Sequence, residues 1–206
     1  MKPEFRTNLV ETYNRHAHER DKYEIEPWKI QEGEHFAAIL KEKQARTVLE
    51  IGAGTGKYSQ FFQERGFEVI CTDGSPGMSR LCGEKGLPAL VVDFYNLGFP
   101  AGRFDAIWAL NCLLHVPKRE LPKVLQGIKT VLKSTGLFYL GMWGGIEFEG
   151  VWEDDGYMPK RFFSFYPDEQ IQAVAADFFE VLYFNSLFIP GRELHFQSII
   201  LRKTTL

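Results

Sequence analysis

The 206-residue sequence holds no apolar run of the roughly 18 residues a membrane-spanning helix needs, so no membrane insertion is predicted. Its first residues, Met1 to Asn8, have no apolar stretch of the secretory kind, and no signal peptide is predicted. Cysteine is scarce. Cys71, Cys82 and Cys112 are odd in number, widely spaced and free of any C-x-x-C pair. That pattern predicts reduced thiols in a cytoplasmic protein rather than a bridge or a zinc site. Neither sign of charge dominates: the net charge is −3 and the pI about 6.0. Proteins that live on phosphate backbones are usually basic, so nucleic acid is a disfavoured partner. Repeats and low-complexity tracts are missing too, and at 45% hydrophobic residues the chain is no disordered polymer.

What the sequence has in quantity is aromatic residues, 18 Phe, 8 Tyr and 4 Trp, enough for a core and a pocket wall. Strand-like and helix-like segments alternate, which predicts an α/β fold on a parallel sheet. Strands are expected over 47–51, 67–72, 88–92, 104–110 and 137–142. Helices are expected over 57–65, over 75–85 with Ser75 as N-cap and Pro76 following it, over 118–133, and over 167–177. In the third of these, Leu121, Val124, Leu125, Ile128, Val131 and Leu132 form one stripe, with Lys129 and Lys133 near the C-terminus and Gly136 beyond it. Segments 179–188 and 194–202 read as a closing hairpin around Pro190-Gly191. Residues 1–46 read as a helical cap, with helices near 4–18 and 28–43, belonging to one unit with the 47–206 domain. Residues 143–166 read as a long, acidic, aromatic loop, of the length that usually makes a lid.

The chemistry begins at Glu50-Ile51-Gly52-Ala53-Gly54-Thr55-Gly56, where a strand delivers three alternate glycines to the start of a helix. Without a Cβ the backbone turns tightly and lets a ligand approach the amides of the helix start. A phosphate-binding G-x-x-x-x-G-K-[ST] loop fails twice, at Ile51 and Tyr58. A dinucleotide G-x-G-x-x-G loop fails at Lys57. Asp73 then ends the second strand about 20 residues downstream, where a carboxylate can accept hydrogen bonds from two ribose hydroxyls. Asp93 and Phe94 end the third strand.

These residues together resemble motif I and the following acidic positions of the class I S-adenosylmethionine-dependent methyltransferases, within the small-molecule group similar to the ubiquinone and menaquinone C-methylases. The resemblance runs from about Tyr13 to Arg202 and is strongest over Thr47–Met142. It implies a Rossmann-like, seven-stranded, mostly parallel sheet with helices on both faces, a reversed C-terminal hairpin and an N-terminal helical cap. It implies S-adenosylmethionine as cofactor, S-adenosylhomocysteine as product and a small-molecule acceptor entering over the C-terminal strand ends. It further implies that Glu50 braces the glycine loop near the cofactor's amino group and that Gly52, Ala53 and Gly54 approach the methionine portion. Asp73 then holds the ribose, Gly74 and Met78 lie beside the adenosine, Asp93 and Phe94 address the adenine, and Leu110 and Asn111 touch the methionine or ribose side. Tyr13 and Trp28 close over it from the cap.

Methyl transfer from a sulfonium is an in-line displacement that needs alignment, exclusion of water and, for a protic acceptor, a base. His115, just past the fourth strand, is the candidate base, since an ordinary imidazole titrates near 6.5. His16 and His18, two residues apart, do not share a helix face, and no metal site is predicted. Asn111-Cys112-Leu113-Leu114 lacks the [DN]-P-P-[YF] pattern of planar-nitrogen methylases, and Cys112 lacks the setting of a covalent thiol. The acids and aromatics of 143–157 either receive an amine or merely solvate a loop. Two other activities stay open: methylation of a modified wobble uridine in tRNA, and cofactor binding by a non-catalytic partner protein.

Overall fold

The computed structural model describes residues 2–204. Helices α1 (Pro3–Arg15), α2 (Ala17–Asp21) and α3 (Pro27–Glu42) precede β1 (Thr47–Ile51), α4 (Lys57–Glu64), β2 (Glu68–Asp73), α5 (Pro76–Glu84), β3 (Ala89–Val91) and β4 (Phe104–Leu110). Then follow α6 (Leu121–Val131), β5 (Leu132–Gly144), β6 (Phe148–Val151), β7 (Phe162–Phe165), α7 (Asp168–Ala176), β8 (Phe179–Leu187) and β9 (His195–Lys203). The main sheet has seven strands in the order β3-β2-β1-β4-β5-β9-β8. The first five are parallel, and β9 runs antiparallel to both β5 and β8. The expected Rossmann-like sheet with its reversed hairpin is therefore what the chain forms.

Alternation along β4 explains how the sheet is covered. Ile107 and Ala109 face the cluster under α6, with Leu121, Val124, Leu125 and Ile128 all at 0% exposure. Ala106 and Trp108 face the other side, under Phe36 and Leu40 of α3 and Phe61 and Phe62 of α4. Each such aliphatic side chain contributes about 1.5–3 kcal/mol of burial. Much of the aromatic excess is spent here: Trp108 stacks on Tyr139 at 3.9 Å, with Phe36 tilted against it and Phe62 packed edge-on.

Local expectations are corrected in four places. The first helix breaks at His16, giving α1 and α2. Helix α6 starts at Leu121, after a 3₁₀ turn over 118–120, and ends at Val131, so Leu132, Lys133 and Gly136 belong to β5. Gly136 is not a helix cap: a Cβ there would lie 3.1 Å from the Asp105 carbonyl, next to a register shift between β4 and β5. Finally, 143–166 is no structureless loop, because β6 and β7 pair within it as an antiparallel ribbon. The Ser75 cap is as expected, its Oγ accepting from the Met78 amide at 3.2 Å. No helix among the described residues is long and apolar enough to cross a membrane.

Candidate active site

A cavity of about 530 Å³ opens at the C-terminal ends of β1, β2 and β4, beneath the N-terminal helices. Open α/β sheets place their ligand sites on this edge, and the volume suits a small molecule. The glycine loop forms its floor. Gly52 has φ +67°, and a Cβ there would sit 2.3 Å from Cβ of Cys112, so only glycine packs against that residue. Gly54 has φ +56° and nothing within 4 Å of where a Cβ would project. It lines the cavity, so its bare Cα leaves space for a ligand.

Asp73 ends β2 and ties this floor together. Its Oδ2 accepts from the Gly54 amide at 2.9 Å and its Oδ1 from the Ser75 amide at 2.8 Å. Burial pushes its pKa up to about 6 against these donors. Glu50 is 3% exposed, accepts a hydrogen bond from the Ser59 hydroxyl and carries a pKa raised to about 8 by burial. A buried carboxyl on a cavity wall that forms no ion pair among the described residues favours a ligand that brings a cation.

Asn111 follows β4 with φ +55°, its amide donating to the Gly141 carbonyl at 2.7 Å. Its buried Oδ1 has no hydrogen-bond partner among the described residues, and Asn111 lines the cavity, an acceptor held ready for a ligand donor. Ala53, Gly74, Phe94 and Leu110 are on the wall as well. Asp93 is there too, but its carboxylate is engaged, pairing with Arg6 and accepting from the Tyr95 amide at 2.9 Å.

Two of the expected residues do not line the cavity. Met78 is fully buried and clusters with Ala17 and Leu81 behind the cavity wall, because α1 and α2 pack on α5 at that point. Trp28 packs edge-on against Trp143 and Phe196 and is not on the wall either. Tyr13 is on it, and its hydroxyl meets Nε2 of His115 at 2.8 Å. His115 is 2% exposed, its Nδ1 bonded to the Phe162 carbonyl at 2.7 Å. Burial pushes its pKa down to about 3. The acids of 147–155 stand away from the cavity: Glu147 pairs with Lys118, Glu153 with Lys160 and Asp155 with Arg161.

None of the basic residues around this site stands in a local pattern that points to it. Lys57, which breaks the dinucleotide motif, donates to the Arg20 carbonyl at 3.0 Å and to that of Tyr23. Lys85 donates to the Thr55 carbonyl at 2.7 Å and pairs with Asp21. These two lysines latch the end of α2 onto the glycine loop. Arg20 lines the cavity and forms no ion pair among the described residues. Arg161 reaches in from the insertion to donate to the Tyr13 oxygen at 3.0 Å.

Comparison with known proteins agrees with this geometry. Residues 49–140 match the methyltransferase domain family. A glycine/sarcosine N-methyltransferase of Parasynechococcus marenigrum is 36% identical over 118 residues, 53% of this chain and 42% of that protein. An uncharacterized methyltransferase of Alkaliphilus oremlandii is 34% identical over 101 residues, 48% of this chain and 46% of that protein. The matches thus span about half of the chain and less than half of these relatives. Among solved structures, the Burkholderia thailandensis 1,6-didemethyltoxoflavin-N1-methyltransferase superposes with a TM-score of 0.75 at 20% identity, covering 98% of this chain and 90% of that one. That structure holds 1,6-didemethyltoxoflavin and S-adenosylhomocysteine.

Proposed function

We propose, from the match of residues 49–140 to the methyltransferase domain family, that this chain binds S-adenosylmethionine in the cavity and methylates a small molecule there. The observation that carries the reading is the shared wall: an open Gly54, a buried unpartnered Asn111 Oδ1 and the Asp73 carboxylate face one cavity. Bound there, S-adenosylmethionine supplies a methyl group already activated on sulfur for in-line displacement.

The chain's own residues then bind, orient and exclude water. Asp73 keeps acceptor capacity for ribose hydroxyls beyond its two amide donors. Asn111 Oδ1 accepts from the cofactor's ammonium, and Glu50 gains the cation that its burial calls for. Phe94 offers an apolar face to the adenine, and Asp93 stands beside it to take the exocyclic amine. Tyr13 and the latched end of α2 form the roof, which keeps water from the reacting centre. A roofed cavity of this size suits a small acceptor better than a nucleic acid, in keeping with the net charge of −3. Glycine and sarcosine, the substrates named for the Parasynechococcus relative, are the first acceptors to test.

Calorimetric titration of S-adenosylmethionine and S-adenosylhomocysteine into the protein, beside Asp73→Ala, tests the reading. Micromolar binding that weakens at least about tenfold in the variant is expected, the equivalent of roughly 1.4 kcal/mol of lost hydrogen bonding. No binding of either ligand to the unaltered protein overturns it.

A further inference from the structure

The Tyr13 hydroxyl joins three separate parts of the chain on the cavity wall. Its oxygen lies 2.8 Å from His115 Nε2, past β4, and 3.0 Å from Arg161 Nη1, in the insertion. Arg161 is itself fixed by Asp155, at 2.6 Å through Nη2 and 2.9 Å through Nε. The direction of every bond in this cluster follows from what each partner is able to do.

The Phe162 carbonyl only accepts, so Nδ1 of His115 carries the ring hydrogen. The ring is neutral at physiological pH, because burial, with the charge of Arg161, holds its pKa near 3. The charged groups facing it are Arg20 from α2, whose guanidinium lies 5.2 Å from the Tyr13 ring centre, and Arg161 with Asp155 from the insertion. A neutral imidazole with hydrogen on Nδ1 has only a lone pair at Nε2, so the Tyr13 O–H donates to it. A guanidinium only donates, so Arg161 fills one acceptor position on the same oxygen. What the Tyr13 oxygen still offers the cavity is one acceptor position and no proton.

We propose that Tyr13 is a catalytic, acceptor-selecting residue whose oxygen receives the N–H or O–H hydrogen of the methyl acceptor. The chain then methylates amines or hydroxyl groups that carry a hydrogen, and discriminates against thioethers and tertiary amines. His115 and Arg161 are positioning residues that hold the hydroxyl in its accepting orientation. In the step, the lone pair of the acceptor's nitrogen or oxygen forms the new bond to the methyl carbon. The carbon–sulfur bond breaks with its electron pair left on sulfur, and the surplus proton leaves to bulk water. Tyr13 accepts a hydrogen bond throughout and never takes the proton. This rests on the methyltransferase reading above.

The test uses the whole chain with S-adenosylhomocysteine bound. Long-range ¹H–¹⁵N spectra of ¹⁵N-histidine-labelled protein are expected to show His115 as the Nδ1–H tautomer from about pH 5.5 to 8.5. In Tyr13→Phe its Nε2 resonance shifts while Nδ1 does not. An Nε2–H tautomer, or protonation of His115 within that range, overturns the proposal. Methyl transfer is then measured on glycine, sarcosine, a small alcohol, a tertiary amine and a thioether. Turnover confined to the N–H and O–H compounds is expected, with kcat/KM about tenfold lower in Tyr13→Phe and S-adenosylhomocysteine affinity held within about twofold. His115→Gln, which can both accept from Tyr13 and donate to Phe162, retains activity, whereas His115→Leu resembles Tyr13→Phe. Tertiary-amine or thioether turnover equal to that of an amine overturns the proposal. If none of the five compounds turns over, the tautomer spectra decide it. Failure of S-adenosylhomocysteine to bind strikes the methyltransferase reading instead, and is seen separately in the titration.

Discussion

The floor and the roof of the cavity are built on different plans. The floor is one continuous stretch of chain: β1, the glycine loop and the end of β2, with Asp73 closing back onto the amide of Gly54 only 19 residues away. The roof is assembled from distant pieces. Tyr13 meets His115 across 102 positions and Arg161 across 148. The floor's geometry is set by backbone conformation and hydrogen bonds to amides. The roof depends on side chains that must find one another after the sheet has formed. A floor of that kind can serve many acceptors unchanged, while a roof assembled from long side chains alters with single substitutions.

Several substitutions test this division. The largest effect is expected in the floor from Glu50→Gln. Glu50's folded pKa of about 8 lies above its unfolded value of 4.5, so its contribution to stability is full below 4.5 and is lost as pH rises through 8. At roughly 1.4 kcal/mol per pKa unit, Glu50→Gln becomes more stable than the unaltered protein by about 5 kcal/mol at pH 9, and matches it near pH 4. Urea denaturation of the ligand-free protein across that range measures the difference, and a constant difference contradicts the assignment.

Next is a contrast between two glycines. Gly52→Ala drives a Cβ into Cys112 and costs about 3 kcal/mol from overpacking and left-handed strain. Gly54→Ala has open space around it, costs about 1 kcal/mol, and instead weakens S-adenosylhomocysteine binding about tenfold or more. Thermal melts beside calorimetry separate the two, and equal melting points would erase the distinction.

In the roof, Arg161→Met leaves the Asp155 carboxylate, 3% exposed, without its cation. A loss of about 2–3 kcal/mol is expected, recovered in part by adding Asp155→Asn. The smallest effect is that of Lys57→Met, which unlatches α2 from the glycine loop. It costs about 1 kcal/mol of stability but speeds release of S-adenosylhomocysteine several-fold in stopped-flow displacement, because the roof opens more often.

The same division governs how far the sequence could be read. Strand β1, the three glycines, Asp73 and the Ser75 cap were legible because each is a local pattern with a local cause. Helix α6 showed its stripe from Leu121 to Val131, yet its end was misplaced. Leu132 continues the apolar pattern but pairs opposite Phe104 in β5. The β6–β7 ribbon was illegible because Phe148–Val151 finds its partners in Phe162–Phe165 only after ten intervening residues of turn-rich chain. Met78 shows the same limit from another side. The family resemblance implied a place for it beside the adenosine, and the packing of α1 and α2 against α5 makes it core.

The amino-acid order alone determined the α/β alternation, the glycine loop with its left-handed positions and the acid at the end of β2. Hydrophobic period, missing Cβ atoms and strand-end carboxylates act over a few residues and need no partner. Tertiary structure decided the rest: that Tyr13 and not Trp28 reaches the cavity, that Glu147, Glu153 and Asp155 of the insertion pair with lysines and Arg161, and that His115 is sealed in as a neutral ring. Those outcomes depend on desolvation and on donors and acceptors brought together from across the chain, and no local pattern encodes either.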